Sequence, residues 1–374
     1  MANIKFSAFT TEANIANFDD IVGYQGTTMK QISPSNLGGY PYLIDTASLY
    51  SGFVPTGLTA GVQGNTFLGI NAGSGGSNMT SCTYIGNFAG TGSTICTENT
   101  FVGKNAGYFN SNKNRNTYIG FDAGYLRGNQ NVAIGHSAFD AFVATVDDSV
   151  AIGFQAGQAV TNAAGSLVLI GRDAGRTTQS VGHVAVGYNA GYSNTTGSEN
   201  TNIGYQSGYT NATSGSNTNV GYQASYYATG QQLAAFGYRA LFGSSGASSG
   251  SYNSAFGREA GVAVTSGSQN TLLGAAAGKA ITTGANNTVI GSFAAFNSLI
   301  DGDNNIVIGK EAAPSATGVD NEITLGNASI TALRIPGLQS GASDGDVLTF
   351  SSGTGLITLA AAGGGGASSL NGLS

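Results

Sequence analysis

The chain has 374 residues, of which 60 are glycine and none tryptophan, with 9% charged residues and a formal charge of −6. So little charge and so much glycine lie far from an ordinary globular domain, while 41% apolar residues exclude simple disorder. Thirteen scattered basic residues cannot make a phosphate-tracking surface, which argues against nucleic acid as a partner.

Residues 1 to about 60 carry no repeat. IVGYQGTTMKQISPSNL, from Ile21, reads as a strand, a tight turn at Gln25-Gly26-Thr27, a second strand and an Asn/Pro stop, making a small domain of its own. No signal-peptide pattern and no apolar stretch long enough to span a membrane is read here or further along, so secretion by a leader and membrane insertion are both disfavoured.

From residue 61 to residue 330 a single unit recurs. Its copies read NTFLGINAG from Asn65, NTFVGKNAG from Asn99, NTYIGFDAG from Asn116, SVAIGFQAG from Ser149 and NTLLGAAAG from Asn270. The glycine that closes each short strand runs from Gly69 to Gly326 in sixteen copies, mostly 17 residues apart. A repeat this short implies a solenoid, and the absence of helical or leucine-dense segments makes it an all-β, parallel one of about sixteen coils. At one strand spacing per coil the shaft would be roughly 75 Å long.

Strand alternation separates an inner from an outer face. The residue before each glycine is always apolar (Leu68, Ile85, Val102, Ile119 and onward), so this series is expected to point inward, joined by the threonines and valines two positions earlier. The residue between them is then expected to face outward. It begins as Phe67, Tyr84, Phe101 and Tyr118, four aromatics that are expected to pack against a neighbouring chain, the alternative being a platform for a ligand. Three residues past each glycine lies a nearly uniform alanine series, including Ala72, Ala89, Ala106 and Ala123. Such uniformity means no room for a larger side chain, either at a tight corner or where several chains meet near an axis.

Tyrosines just after the strand glycine or after the following turn should form ladders. Tyr188, Tyr205, Tyr222 and Tyr238 are the candidate glycan contacts, because aromatic faces suit apolar sugar faces; ring-on-ring stacking between coils or subunits is the competing role. Cys82 and Cys96 read as semi-buried thiols rather than a disulfide framework. His136 and His183 lack an accompanying nucleophile and carboxylate, Asp122 and Asp140 read as surface residues, and Asp301 to Asn305 as a turn. No catalytic, metal or cofactor site is therefore expected.

Beyond the repeats, residues 331–374 contain two strand-like segments, Val347 to Phe350 and Leu356 to Leu359, expected to pair as a hairpin, and a Gly/Ser/Ala-rich tail from Ala361.

The SVAIG and NVAIG units at Ser149 and Asn131 resemble head repeats of trimeric autotransporter adhesins, which are β-rolls built from three chains. The longer NTYIGFDAG form is similar to repeats of bacteriophage tail fibres and related virion fibres. The N-terminal segment, from MANIKFSAFT, and the SDGDVLTFSSGTGLITLAA stretch resemble the two flanks of such phage fibres. The resemblance implies a homotrimeric, non-enzymatic fibre of a virion tail or capsid. Residues 1–60 would attach to a virion or baseplate protein, and the shaft or its far end would contact a host surface glycan or protein. A self-assembling extracellular filament and a bacterial surface adhesin are the alternatives, with a polysaccharide-degrading tailspike as the enzymatic one.

Overall fold

The computed structural model describes residues 64–334 apart from 126–127, 141–144, 162–164, 247 and 299–300. It also describes the backbone of short strands at Tyr24–Gln25, Thr28–Met29, Tyr42–Leu43, Leu49–Ser51, Val347–Phe350 and Ile357–Ala360. The described residues are all-β, and the chain divides into two compact units, Met1–Leu325 and Gly326–Ser374.

In the first unit sixteen three-residue strands, from Thr66–Leu68 to Ile323–Leu325, pair in parallel with their chain neighbours and enclose fifteen complete turns of a solenoid. Register never slips: Thr117 lies opposite Val132, Tyr118 opposite Ala133, and Ile119 opposite Ile134. Leu49–Ser51 continues the ladder upstream by pairing in parallel with Thr66–Leu68. Tyr24–Gln25 and Thr28–Met29 pair antiparallel, while Gly26 and Thr27 of the expected turn lie outside the described residues. Asn78–Thr80 and Ile95–Thr97 form a second parallel wall in the early coils. In the second unit Val347–Phe350 pairs antiparallel with Ile357–Ala360, a hairpin whose second strand begins one residue later than expected. The tail from Ala361 lies outside the described residues.

Two glycine positions fix the coil. At the strand-closing glycine the backbone takes φ near 135°, and a Cβ built on Gly103 would lie 2.3 Å from the carbonyl oxygen of Gly120 in the next coil. Only glycine allows coils to stack at that distance. The alanine three residues on is fully buried, and the glycine after it donates its N–H to the alanine carbonyl one coil further, as Gly90 does to Ala106 at 2.9 Å. Ala72, Ala89, Ala106 and Ala123 are thus buried at this corner within their own chain.

The two strand faces are the reverse of the sequence expectation. The middle residue points inward: Phe67, Tyr84, Phe101 and Tyr118 are completely buried and stack with ring centroids 4.8 to 4.9 Å apart. Leu68, Ile85, Val102 and Ile119 point outward, with Ile85 and Ile119 exposed, and the threonines and valines flanking the middle residue share that outer face. A three-residue strand has one inward position or two, and shifting the phase by one residue exchanges every side chain between faces. The ring volumes settle the phase here, since one aromatic per turn fills a cross-section this narrow.

The motif asparagine, which stands immediately before ten of the sixteen strands, forms buried ladders of its own. Asn131 N–H donates to Asn116 Oδ1 at 2.9 Å, while Asn116 Nδ2 donates to the Gly128 carbonyl at 2.8 Å. The same arrangement recurs at Asn270 and Asn287, where Asn287 N–H donates to Asn270 Oδ1 at 3.0 Å. At this corner a side-chain amide thus takes the place of the sheet ladder and satisfies backbone groups hidden from water.

Two apolar clusters fill the interior, one reaching Ala190 and the other starting at Ala224. Between them the core is polar. Thr178 Oγ1 lies 2.6 Å from His183 Nδ1, Asn202 Nδ2 lies 3.0 Å from His183 Nε2, and Asn219 Nδ2 donates to Asn202 Oδ1 at 2.9 Å. Burial without a charged partner pushes the His183 pKa down to about 4.

Candidate functional site

The most ordered surface feature is built from the residue directly after each strand glycine, which every coil presents at the same point on its perimeter. From Lys104 to Arg258 the series reads Lys104, Phe121, His136, Phe154, Arg172, Tyr188, Tyr205, Tyr222, Tyr238 and Arg258, one per coil. Each member contacts the next. Lys104 lies 5.4 Å from the centre of the Phe121 ring, His136 stacks between Phe121 at 5.0 Å and Phe154 at 5.3 Å, and Arg172 bridges Phe154 and Tyr188 at 5.3 and 5.7 Å.

The four candidate tyrosines form the centre of this ladder. Successive rings of Tyr188, Tyr205, Tyr222 and Tyr238 have centroids 5.1 Å apart and planes within 8° of parallel, and each side chain is exposed. Arg258 lies 5.9 Å from the last ring centre. Each ring therefore turns its faces toward neighbours in the ladder, with arginines at both ends, and shows solvent its edge and hydroxyl. Ring-on-ring stacking between coils is what these residues do, and a sugar face has no room between rings at this spacing. Stacked pairs and exposed cation–π contacts each contribute about 0.5–1.5 kcal/mol, so the ladder stiffens the coils it crosses.

A second ladder follows the alanine turn. Tyr192, Tyr209, Tyr226 and Phe242 stack with centroids 5.3, 4.9 and 5.4 Å apart. Arg176 covers the first ring at 5.8 Å and donates to the Tyr192 hydroxyl at 2.9 Å, and Arg239 lies 3.9 Å from the Phe242 ring centre. Between the two ladders runs the second residue after the strand glycine, held in the left-handed region throughout, where Gln223 donates to Gln206 at 3.0 Å. Partial burial and then the neighbouring phenols of Tyr192 and Tyr188 raise the pKa of Tyr209.

Cations at the ladder ends are balanced locally. Asp173 pairs with Arg172 at 3.2 Å and Arg176 at 3.8 Å, and Glu259 with Arg258 at 2.9 Å and Lys279 at 3.1 Å. The Lys279 hydrogen bond holds Glu259 below its usual range, whereas burial raises Asp140, with Asp122 nearby adding to the effect. His183 with Thr178 is sealed in the core and His136 is sandwiched between two phenylalanines, so neither histidine faces an accessible nucleophile. Among the described residues no three His, Cys, Asp or Glu side chains gather as a metal site would require, and no helix is long and apolar enough to cross a membrane.

Tyrosine ladders were readable from spacing. What the sequence reading missed is that Lys104, His136 and Arg172 belong to the same series as the tyrosines, a signal visible once residues are sorted by their offset from the strand glycine. Comparison with known proteins returned no family model, no curated protein and no solved structure that matches this chain.

Proposed function

We propose that this protein is a non-enzymatic structural fibre subunit that works as a homotrimer, of the bacteriophage tail-fibre or virion-fibre kind. Residues 1–60 attach it to a virion or baseplate protein, and the solenoid holds shape and distance while repeated surface groups contact a host-surface glycan or protein. Three copies raise avidity without strong single-site affinity.

One observation carries this reading. Neither outward position of the sixteen strands holds a charged residue, and the third position is aliphatic or phenylalanine in every coil, from Leu68 through Ile203 and Phe256 to Leu325. Several of these side chains are exposed, including Ile119, Ile203, Leu273 and Ile308. An uncharged, largely apolar band of roughly 75 Å exceeds what a monomeric surface carries, and a partner copy buries it along its whole length. The interface of the proposed trimer is therefore this strand face, one position along from the aromatics first expected there.

A second reading, the self-assembling extracellular filament, draws on the last strand. Among the described residues Ile323–Leu325 has a paired neighbour only in Ile306–Ile308, and Ile323 and Leu325 are 66% and 56% exposed. An open strand edge is a template for end-to-end addition. Light scattering on the purified chain, with electron micrographs of the same sample, tests both. Discrete trimers seen as short rods support the fibre, open-ended polymers favour the filament, and a stable monomer overturns the association on which both rest.

A further inference from the structure

The second residue after each strand glycine adopts the left-handed backbone in fifteen successive coils, from Asn71 to Glu311. It is Asn, Asp, Ser, Gln, Arg, Glu or Ala in all but two of them. The exceptions are Phe88, with φ 59°, and Phe293, with φ 58°. A bulky aromatic enters this region only at a cost in strain, and such outliers persist only where the surrounding structure over-determines them.

Both phenylalanines stand at a step. Phe88 is followed at the same turn position of the next coil by Asn105, and Phe293 by Glu311, so neither has an aromatic successor in its series. Each step opens a concavity. One, of about 330 Å³, is lined by Phe88, Lys104, Asn105, Tyr108 and Tyr125. The other, of about 440 Å³, is lined by Phe293, Phe296, Asn297, Ser298 and Glu311 together with Ala313.

The walls of the first are arranged differently from the ladders. Tyr108 meets Phe88 edge-on, at 6.3 Å and 71°, and stacks instead on Tyr125 at 5.4 Å. Asn105 Nδ2 donates to Asp122 Oδ1 at 2.8 Å, which fixes the amide and leaves its Oδ1 as an acceptor, while Lys104 brings an ammonium donor resting over Phe121. The second has an exposed Phe293 inclined at 57° to Phe296, with the Asn297 amide and the Glu311 carboxylate alongside, while the Ser298 hydroxyl beneath them is buried.

We propose that these two concavities are pyranose-binding sites, each seating the C–H face of a single sugar ring on its phenylalanine while the polar neighbours hydrogen-bond the ring hydroxyls. Their volumes sit at the lower end of small-ligand sites. An aromatic floor beside a mixed set of donors and acceptors fits a pyranose, whose rim is polar and whose faces are not. The tyrosine ladders, by contrast, keep their faces covered. The proposal gives a ligand class to the host-attachment part of the function proposed above, and rests on that reading only for its setting.

The test is saturation-transfer NMR on the whole chain with methyl glycosides of glucose, galactose, N-acetylglucosamine and glucuronic acid as probes. Transfer to at least one of them is expected from the native chain, and its loss from the Phe88→Asn, Phe293→Asn double variant. Asparagine already occupies this turn position in Asn71, Asn105 and Asn189, so the variant keeps the fold and its unfolding temperature stays level or rises. No transfer to any probe, or equal transfer to the double variant, overturns the sites. Native mass on the same samples separates the two readings, because a trimer that binds no sugar removes the sites and leaves the fibre standing.

Discussion

Phe139 supplies the ring that Ala133 lacks. One coil earlier Tyr118 fills the core from the strand and Gly124 keeps the turn clear, since a Cβ on Gly124 would lie 2.2 Å from the Tyr118 ring. In the next coil the strand residue shrinks to Ala133 and the turn residue grows to Phe139, which accepts a φ of 49° to place a fully buried ring inside. The ring also reaches the following coil, where a Cβ on Gly157 would lie 2.8 Å from it. Leu241 does the same beside Ala235 and Ala255.

This exchange predicts a compensating pair. Phe139→Gly removes a buried ring and should cost about 3–5 kcal/mol, and Ala133→Phe should overpack the native coil. Together they rebuild the Tyr118–Gly124 arrangement, so the double variant should be more stable than either single one. A double-mutant cycle from urea melts reads the coupling, and simple additivity would mean the two side chains do not share that space.

The polar stretch of core predicts an acid-sensitive segment. His183 titrates near 4 when folded and near its ordinary 6.5 when unfolded, so the unfolded chain takes up the proton first. Stability from this group is therefore full above pH 6.5, falls as pH drops toward 4, and levels off below, a loss of about 3 kcal/mol. Thr178, Asn194 and Asn202 are the groups facing the ring, and none is charged. Melting curves of the native chain and His183→Asn across this range should converge as pH falls. A gap that stays constant with pH would contradict the assignment.

The motif asparagine should prove structural. Asn116→Ala leaves the Asn131 N–H and the Gly128 carbonyl buried without partners, at about 1–3 kcal/mol each. Faster amide exchange at Asn131 together with a lower melting temperature is the expected result. Unchanged protection at Asn131 would show that another group has taken over its N–H.

How much of this was legible in the sequence depended on whether one residue type or a combination carried the information. Glycine and alanine positions were, because each meets backbone at a fixed distance in every coil, which admits glycine alone at the first and only alanine or the equally small Ser207 among the buried positions of the second. The inward series was not, because its members, from Phe101 through Ala151 to Asn202, vary in size and polarity while partners elsewhere in the turn compensate. The series that looked most like a core, Leu68 to Leu325, is apolar for a different reason: it lies on the outer face, where the proposed fibre would cover it. Uniform apolarity identified a surface that avoids charge but did not say whether the same chain or another one covers it. The concavities proposed to hold sugar were hidden for a related cause, as Phe88 and Phe293 are unusual only when compared with residues at the same turn offset.

That distinction between the two strand faces leads to opposite outcomes for neighbouring residues. Ile119→Asp with Ile203→Asp places charge on the outward face without touching the buried series, so the coil should stay folded while association fails and the native mass falls to that of one chain. Phe101→Ser, one residue before an outward valine, instead empties the space between Tyr84 and Tyr118 and should lower the unfolding temperature of the shaft whether or not it is associated. Light scattering combined with thermal melts distinguishes the pair. If the aspartates leave the mass unchanged, the strand face is not the contact between copies, and the proposed trimer would have to be sought on the faces that carry the tyrosine ladders.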